Sequence, residues 1–437
     1  MFPSIVVATH HCKGVRMSHS TDLLIVGGGL AGMSVALMVS RLTDWRVTLL
    51  EKRDSLAPGL APSVDSRPIS LAHASVCILK SVGVWPALAS VASPIKEVLV
   101  TESGAFGGVH FSPQDWQLDA LGYVVPIDFA VSGLWQALAD SGVQVITGAT
   151  VMDLKQDESS AKVSYRSGDK TNTLDAQCVI AADGSTSPVR SLLNIPTRAN
   201  GPEVSIDVGE ASCVDPHGGK AEQRFVPGLG VLATLPLLDP CRIRFVWTRA
   251  SHDSHAIAES DEASYLAFWQ KQCRGRLSIH RLTRQAHHCL QPKTAERVCD
   301  GRVVLLGDAA RSIPPLAAQG FNLTLSDAAA LVETMLQADK TGPGSWSHPS
   351  TLQRYASWRY RAKERLPRFL KTAQYAFSTV LPGLPVLRGA ALTMIDCVPP
   401  LRRSIGQRLL GWGGRVPALA RGVSVAELQE SLLCHDQ

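Results

Sequence analysis

Leu23-Leu24-Ile25-Val26-Gly27-Gly28-Gly29-Leu30-Ala31-Gly32 is the stretch whose reading decides the fold. Its first four residues form a short apolar run of the buried-strand type. The glycines then fit GxGxxG through Gly27, Gly29 and Gly32, and a helical pattern runs on to about Leu42. Val47-Thr48-Leu49-Leu50 makes a second strand ending in Glu51, which completes a β-α-β unit of about thirty residues. Gly27 permits the tight turn, Gly29 lets backbone approach a pyrophosphate, and Gly32 lets the helix pack on the strand. Leu30 and Ala31 begin the helix, whose unpaired N–H groups and partial positive charge suit phosphates. Glu51, 22 residues after Gly29, can accept hydrogen bonds from an adenosine ribose, and an acid there favours a free 2′-hydroxyl. The unit alone does not separate FAD from NAD.

The rest of the chain sets bounds on this reading. At 437 residues it exceeds the ~250–300 at which single cores stop growing, so more than one core is expected. Hydrophobic residues at 45% and charged residues at 19% exclude wholesale disorder. The net charge of +5 is unevenly spread: residues 354–421 hold 13 Lys/Arg against only Glu364 and Asp396, so the remainder is net acidic. Such a stretch suits an acidic partner, anionic lipid or nucleic acid, and reads equally as a solvated helical face. Ten cysteines include no CxxC pair and no zinc pattern, so no metal is expected, and reduced thiols in a cytoplasmic protein are. The N-terminus shows no signal-peptide pattern, and Met17 is a candidate start. The apolar run from Leu23 to Val39 is broken by glycines and reads as strand plus helix rather than a membrane span.

Two later segments settle the cofactor. The strand Cys178-Val-Ile-Ala-Ala182 is followed by Asp183-Gly184-Ser185-Thr186-Ser187-Pro188-Val189-Arg190. The strand Arg302-Val-Val-Leu-Leu306 is followed by Gly307-Asp308-Ala309-Ala310, with Pro315, Gln319-Gly320 and Asn322 beyond. The first run resembles the ADGxxSxVR signature of flavoprotein aromatic hydroxylases, and the second their GDAAxxxxPxxxQGxN segment. That resemblance implies FAD. It gives Asp308 the ribityl hydroxyls, sets Pro315 through Gly320 at the flavin ring, and ties Asp183-Gly184 to FAD and NAD(P)H. The residues also have plainer readings: Asp308 as a helix cap, Asp183-Gly184 as a tight turn. A helix starting at Gly320 would point its N-terminus toward the flavin.

Within that superfamily, Asp65-Ser-Arg67-Pro-Ile-Ser-Leu71 with Leu79-Lys-Ser-Val-Gly83-Val-Trp85 is similar to the ubiquinone-biosynthesis hydroxylases. So are Gln117 to Val125, Leu232 to Leu237 and Phe245-Val-Trp247, and the likeness spans residues 20 to 412. It implies that Arg67 lies near the flavin; the alternative is a surface arginine paired with Asp65. This chain departs from the family at Arg311 and Pro314, where histidines are usual, and at Ala318, where glycine is usual. Arg311 reads as one solvated basic group replacing another. Ala318 adds a methyl to a loop that approaches the flavin, which matters if the position needs positive φ.

The expected fold is α/β: a Rossmann-like FAD domain over residues 20–345, discontinuous, with an antiparallel substrate-covering sheet inserted at about 196–290. A C-terminal helical region at 346–437 follows. The resemblance implies hydroxylation of a polyprenyl phenol of the 2-polyprenyl-6-methoxyphenol type, with NAD(P)H and O2, through a flavin C4a-hydroperoxide. The flavin carries that chemistry, so no catalytic side chain is expected. His73, His110, His287 and His288 read as surface or packing residues. With no second GxGxxG, NAD(P)H would dock transiently on the flavin domain. Expected partners are the phenol, O2, NAD(P)H, a membrane surface met by the basic, aromatic tail (Tyr355, Trp358, Tyr360, Phe369, Tyr375, Trp412), and other ubiquinone-biosynthesis proteins, not nucleic acid. Alternatives are another ring position, a soluble phenol, an ene reduction, or a non-catalytic FAD-binding assembly protein; a halogenase lacks its WxWxIP segment here.

Overall fold

The computed structural model describes residues 20–54, 68–250, 260–273, 276–314, 319–359 and 384–433. Met17, Asp65, Arg67, Pro315, Ala318, Tyr360, Phe369 and Tyr375 lie outside the described residues.

The β-α-β unit consists of β1 (Ser20–Val26), α1 (Leu30–Leu42) and β2 (Val47–Leu50). β1 is central in an eight-stranded sheet, with β2 on one side and Lys170–Ala181 on the other, both parallel to it. A strand covered on both faces has no polar side to show, and Leu23, Leu24 and Ile25 are fully buried. Val303–Leu305 and Gln144–Ile146 extend the parallel set outward. An antiparallel pair, Ala149–Gln156 and Ala161–Ser167, joins the first half of Lys170–Ala181. α1 packs against the long helix Gly320–Asp339. Met33, Val35, Leu37, Met38 and Val39 of α1 are all buried, each worth about 1.5–3 kcal/mol on burial.

The second sheet has seven strands, in the order Ile279–Leu290, Val204–Cys213, Arg242–Ala250, Gly230–Pro236, Lys220–Val226, Glu97–Glu102, Gly108–Phe111. It is antiparallel except where Lys220–Val226 runs parallel to Glu97–Glu102. The period-two alternation separates its faces. Phe245 and Trp247 pack under the helix Glu262–Cys273 with Tyr265 and Trp269, whereas Ile206, Val208 and Val246 face a cavity.

Two helices, Leu384–Cys397 and Pro399–Leu409, close over Glu97–Glu102 and Gly108–Phe111. They approach closely because both carry glycine at the contact: a Cβ on Gly389 would stand 2.3 Å from the Phe106 carbonyl oxygen. A Cβ on Gly406 would stand 2.2 Å from the Trp116 ring. Arg388 reaches Glu102 through Nε at 2.8 Å, and Glu102 has no exposed side-chain surface. No single helix among the described residues is long and apolar enough to cross a membrane; these two pass that test only as a pair bent by 93°.

Candidate functional site

Three turns leave the carboxyl ends of adjacent parallel strands. Val26 is paired in register with Ala181, and Ala181 with Leu305. Beyond them, Gly27 N–H donates to the Leu50 carbonyl, Ala182 N–H to Val26, and Leu306 N–H to Ala181, each at 2.8 Å. Segments about 150 and 280 residues from the first turn in sequence thereby meet at one edge of the sheet, where open α/β sheets bind ligands.

The glycines of the first turn have distinct duties. Gly27 has φ +104°, and a Cβ there would lie 2.4 Å from the Ala182 carbonyl oxygen. A Cβ on Gly32 would sit 1.8 Å from the Gly27 carbonyl oxygen, so only glycine lets α1 start there. Around Gly29 there is nothing within 4 Å. That open space, beside the uncapped N-terminus of α1, is a cradle that any side chain would fill. Gly29, Leu30 and Ala31 line the cavity.

Glu51 follows β2 and is buried. Its Oε2 accepts from Gly28 N–H at 2.6 Å, and its Oε1 accepts from Arg53 Nε at 2.8 Å. Burial opposes its charge, but the hydrogen bonds from Arg53 and Gly28 outweigh it and hold the carboxyl below its ordinary range. Glu51 is thus held ionised by the first turn and Arg53, and it does not itself line the cavity.

Asp308 opens onto the cavity. The residue is exposed to the cavity, yet desolvation by the surrounding protein pushes its pKa up, with Arg311 acting the other way. Among the described residues no group donates a hydrogen bond to it, so its carboxylate is available to the hydroxyls of a ribityl chain. Gly307, at φ +62°, brings the backbone against Ala31 and Thr324. Gly184 and Gly320 also line the cavity, with open space where their Cβ atoms would be. The cradle, the free acceptor and the helix N-termini fit FAD.

Other residues singled out from the sequence are held by the protein itself. Asp183 accepts from Val189 N–H at 3.0 Å through Oδ2, while its Oδ1 is buried without a partner; its neighbours Ala182 and Gly184, not Asp183, line the cavity. Asn322 bridges to the strand Pro68–Ala72, accepting from Ala72 N–H at 2.8 Å and donating to the Ser70 carbonyl at 2.9 Å. It fixes a cavity wall, since residues 68–72 line the chamber. Arg311 corrects the expectation of a solvated group. It is buried, with Asp327 at 3.5 Å, and Asp327 also takes Arg359 at 2.5 Å. Burial lowers the Arg311 pKa. Its length lets it reach a buried carboxylate on Gly320–Asp339, where a histidine would stop short. His73 packs edge-on against Trp412, and His110 pairs with Glu97 at 3.0 Å.

One structural residue was quoted in its motif but not singled out. Arg190 is buried and donates to the Ala309 carbonyl and to the Ser185 carbonyl, each at 2.8 Å. It thereby ties the Asp183-Gly184 turn to the Gly307-Asp308 turn. A motif arginine followed by a helix was the available signal.

The cavity, about 1050 Å³, continues past the motif turns to an apolar wall. Ile206, Val208 and Val246 of the second sheet form one side; Leu392, Ile395 and Ile405 of the C-terminal helices form another. Glu222, Gln223, Arg244, His288 and Arg388 also line the cavity. Thr234 Oγ1 and Trp116 Nε1 are buried there without hydrogen-bond partners among the described residues. Among the described residues no cluster of three His, Cys, Asp or Glu side chains could hold a metal ion.

The family described as FAD binding domain matches residues 20–369. The chain is 27% identical to ubiquinone hydroxylase UbiM of Neisseria meningitidis, over 94% of this chain and 88% of that protein. It is 29% identical to 3-demethoxyubiquinol 3-hydroxylase of Escherichia coli, over 90% and 98%. Among solved structures, p-nitrophenol 4-monooxygenase PnpA of Pseudomonas putida superposes with a TM-score of 0.72 at 18% identity, over 91% of this chain and 100% of that one. Aklavinone-11 hydroxylase, solved with FAD and aklavinone, gives 0.54 at 19%, over 72% and 62%. The chain therefore belongs to the FAD binding domain family, as an FAD-dependent aromatic hydroxylase whose relatives include the ubiquinone-biosynthesis hydroxylases.

Proposed function

We propose that this hydroxylase acts on a polyprenyl phenol of the 2-polyprenyl-6-methoxyphenol type in ubiquinone biosynthesis, using NAD(P)H and O2. The observation that carries this reading is the continuity of the cavity. At about 1050 Å³ it lies at the upper end of small-molecule sites, and apolar side chains predominate on both walls of its far half. FAD, when bound, supplies the hydride acceptance and oxygen activation. The chain's part is to hold it, through the Gly29 cradle, Glu51 and Asp308, and to keep water from the ring under the second sheet. Thr234 and Trp116 offer the phenol oxygen a partner. With no second dinucleotide unit in the sequence, NAD(P)H docks transiently on the flavin domain.

Quinone profiling tests the assignment. The gene is expressed in a bacterial strain lacking the 2-polyprenyl-6-methoxyphenol hydroxylase. Restored ubiquinone is the expected result; a persisting methoxyphenol intermediate beside soluble, FAD-loaded protein rejects that ring position. The similarity to 3-demethoxyubiquinol 3-hydroxylase over 98% of that protein favours one second reading, hydroxylation at that enzyme's ring position. A strain lacking that hydroxylase decides it.

A substrate with an isoprenoid tail resides in a bilayer, and we place the contact with it on the C-terminal helices. Val386, Leu387, Met394, Val398 and Leu401 are exposed there, Leu387 at 68%. The other face of the same helices lines the cavity. Residues 354–421 supply the positive charge that anionic lipid attracts. The full chain should co-sediment with anionic vesicles, and Leu387→Asp with Met394→Asp should lose most of that binding while retaining FAD. Equal binding by both proteins removes the helices from the interface.

A further inference from the structure

The strand Ile279–Leu290 is the edge of the seven-stranded sheet. His288, Cys289 and Leu290 all line the cavity with Ile206. Register sets Cys289 opposite Ser205 and His287 opposite Asp207. His287 Nδ1 lies 2.6 Å from Asp207 Oδ1, and Cys289 Sγ lies 3.6 Å from His287 Nε2. Asp207 is held in turn: its other oxygen meets Arg249 at 2.5 Å, and that guanidinium lies over the Trp247 ring at 4.4 Å. Asp207 and Arg249 are buried, so the carboxylate has little freedom to turn away. The His287 side chain is 54% exposed and Cys289 is exposed, so the thiol end of the array is open to solvent.

Thiol, imidazole and carboxylate in this order form an activated-nucleophile arrangement: Nε2 takes the sulfur proton, and the carboxylate orients the ring and stabilises it once charged. Ring hydroxylation in the chamber uses no protein nucleophile; Cys289 lines that chamber, whereas His287 and Asp207 do not. The array is therefore additional to the reaction already described. The geometry points to Cys289 as a nucleophilic thiol, with His287 as its base and Asp207 as its positioning residue, whose electrophile is a small soluble peroxide. In the step, the thiol proton passes to His287 Nε2 and the sulfur electron pair attacks one peroxide oxygen. The O–O bond breaks, and the departing hydroxide takes the proton from His287 and leaves as water. Sulfur is oxidised by two electrons to a sulfenic acid and the peroxide is reduced. Hydrogen peroxide is the reagent in question: it is what an oxygen-reducing flavin site releases when oxygen does not reach the ring substrate. Cys289 itself lines the chamber between His288 and Leu290, so the oxidation state of the thiol is recorded at the chamber wall.

The test uses the full-length, FAD-loaded protein and does not depend on the ring substrate. Cys397 is the internal reference: it is the other exposed cysteine among the described residues and has no imidazole partner there. Iodoacetamide labelling at neutral pH is followed peptide by peptide by mass spectrometry. A cysteine without help is only a few per cent thiolate, so Cys289 should react about tenfold faster than Cys397. His287→Gln, at an exposed position, should bring the two rates together while the flavin absorbance stays unchanged. Hydrogen peroxide followed by dimedone should label Cys289 in the native protein and not in H287Q. Equal rates in the native protein, or a fast rate that survives H287Q, overturns the proposal. Fast alkylation without a dimedone adduct overturns peroxide as the electrophile.

Discussion

A single methyl group should do opposite things at two glycines three residues apart. At Gly32 it would be forced to 1.8 Å from a backbone oxygen, which α1 cannot absorb without leaving the turn. Gly32→Ala should therefore yield little folded protein. At Gly29 the protein offers no obstacle, so Gly29→Ala should change the stability of the FAD-free protein by no more than about 0.5 kcal/mol. Its FAD affinity should nonetheless fall, because the methyl occupies the cradle; an unchanged affinity in a fluorescence titration would remove Gly29 from the binding site. Asp308 carries a pH signature. Its pKa is raised in the FAD-free protein, and hydroxyl donors from a bound ribityl chain favour the charged form, so binding expels a proton at low pH. FAD affinity should weaken as pH falls through that raised value, by up to about tenfold per unit. For the FAD-free fold the sign is the reverse: the contribution of Asp308 to stability is full at low pH and fades as pH rises through the same value. Glu51 is held below its ordinary range and stays charged across this window. Asp308→Asn should flatten the profile; an unaltered slope would assign the proton elsewhere.

At the scale of elements, the β-α-β unit and the two later strand-turn motifs were legible, because each is local and its constraints are steric. The Gly27 turn, the buried run of β1 and the acid after β2 all declare themselves within about thirty residues. Other features depend on partners far away in sequence. Nothing in residues 97–111 announces that they join the strands of 204–290, since a parallel pairing across more than a hundred residues leaves no local periodicity to read. Arg311 looked solvated because its partner Asp327 lies on the facing helix, and a charge cannot reveal from sequence that it is buried with its counterion. Glu102 and Arg388 are a further case, 286 residues apart and both buried. Replacing one member of such a pair leaves the other charge stranded, so Arg388→Met should cost about 3–5 kcal/mol. Removing both, with Glu102→Leu added, should recover most of that loss. Denaturant unfolding of the two variants checks this, and a double variant as weak as the single one would show that Arg388 acts through packing alone.

Across the whole molecule, both sheets are assembled from segments that the chain delivers late. β1 is flanked by Lys170–Ala181 and, one strand further, by Val303–Leu305; the second sheet joins Glu97–Glu102 to strands that end at Leu290. During synthesis, then, the turn of residues 27–32 and β2 emerge long before the strands on the other side of β1. At about 5–20 residues per second, the stretch from Val26 to Leu305 takes some tens of seconds to appear. Until Lys170–Ala181 has been made, β1 is paired on one side only, by β2. The sheet thus cannot be completed until Val303–Leu305 has been made, and high contact order of this kind makes final assembly slow as well. Conditions that stall translation between these landmarks should matter more to the yield of this protein than any one of its surface contacts.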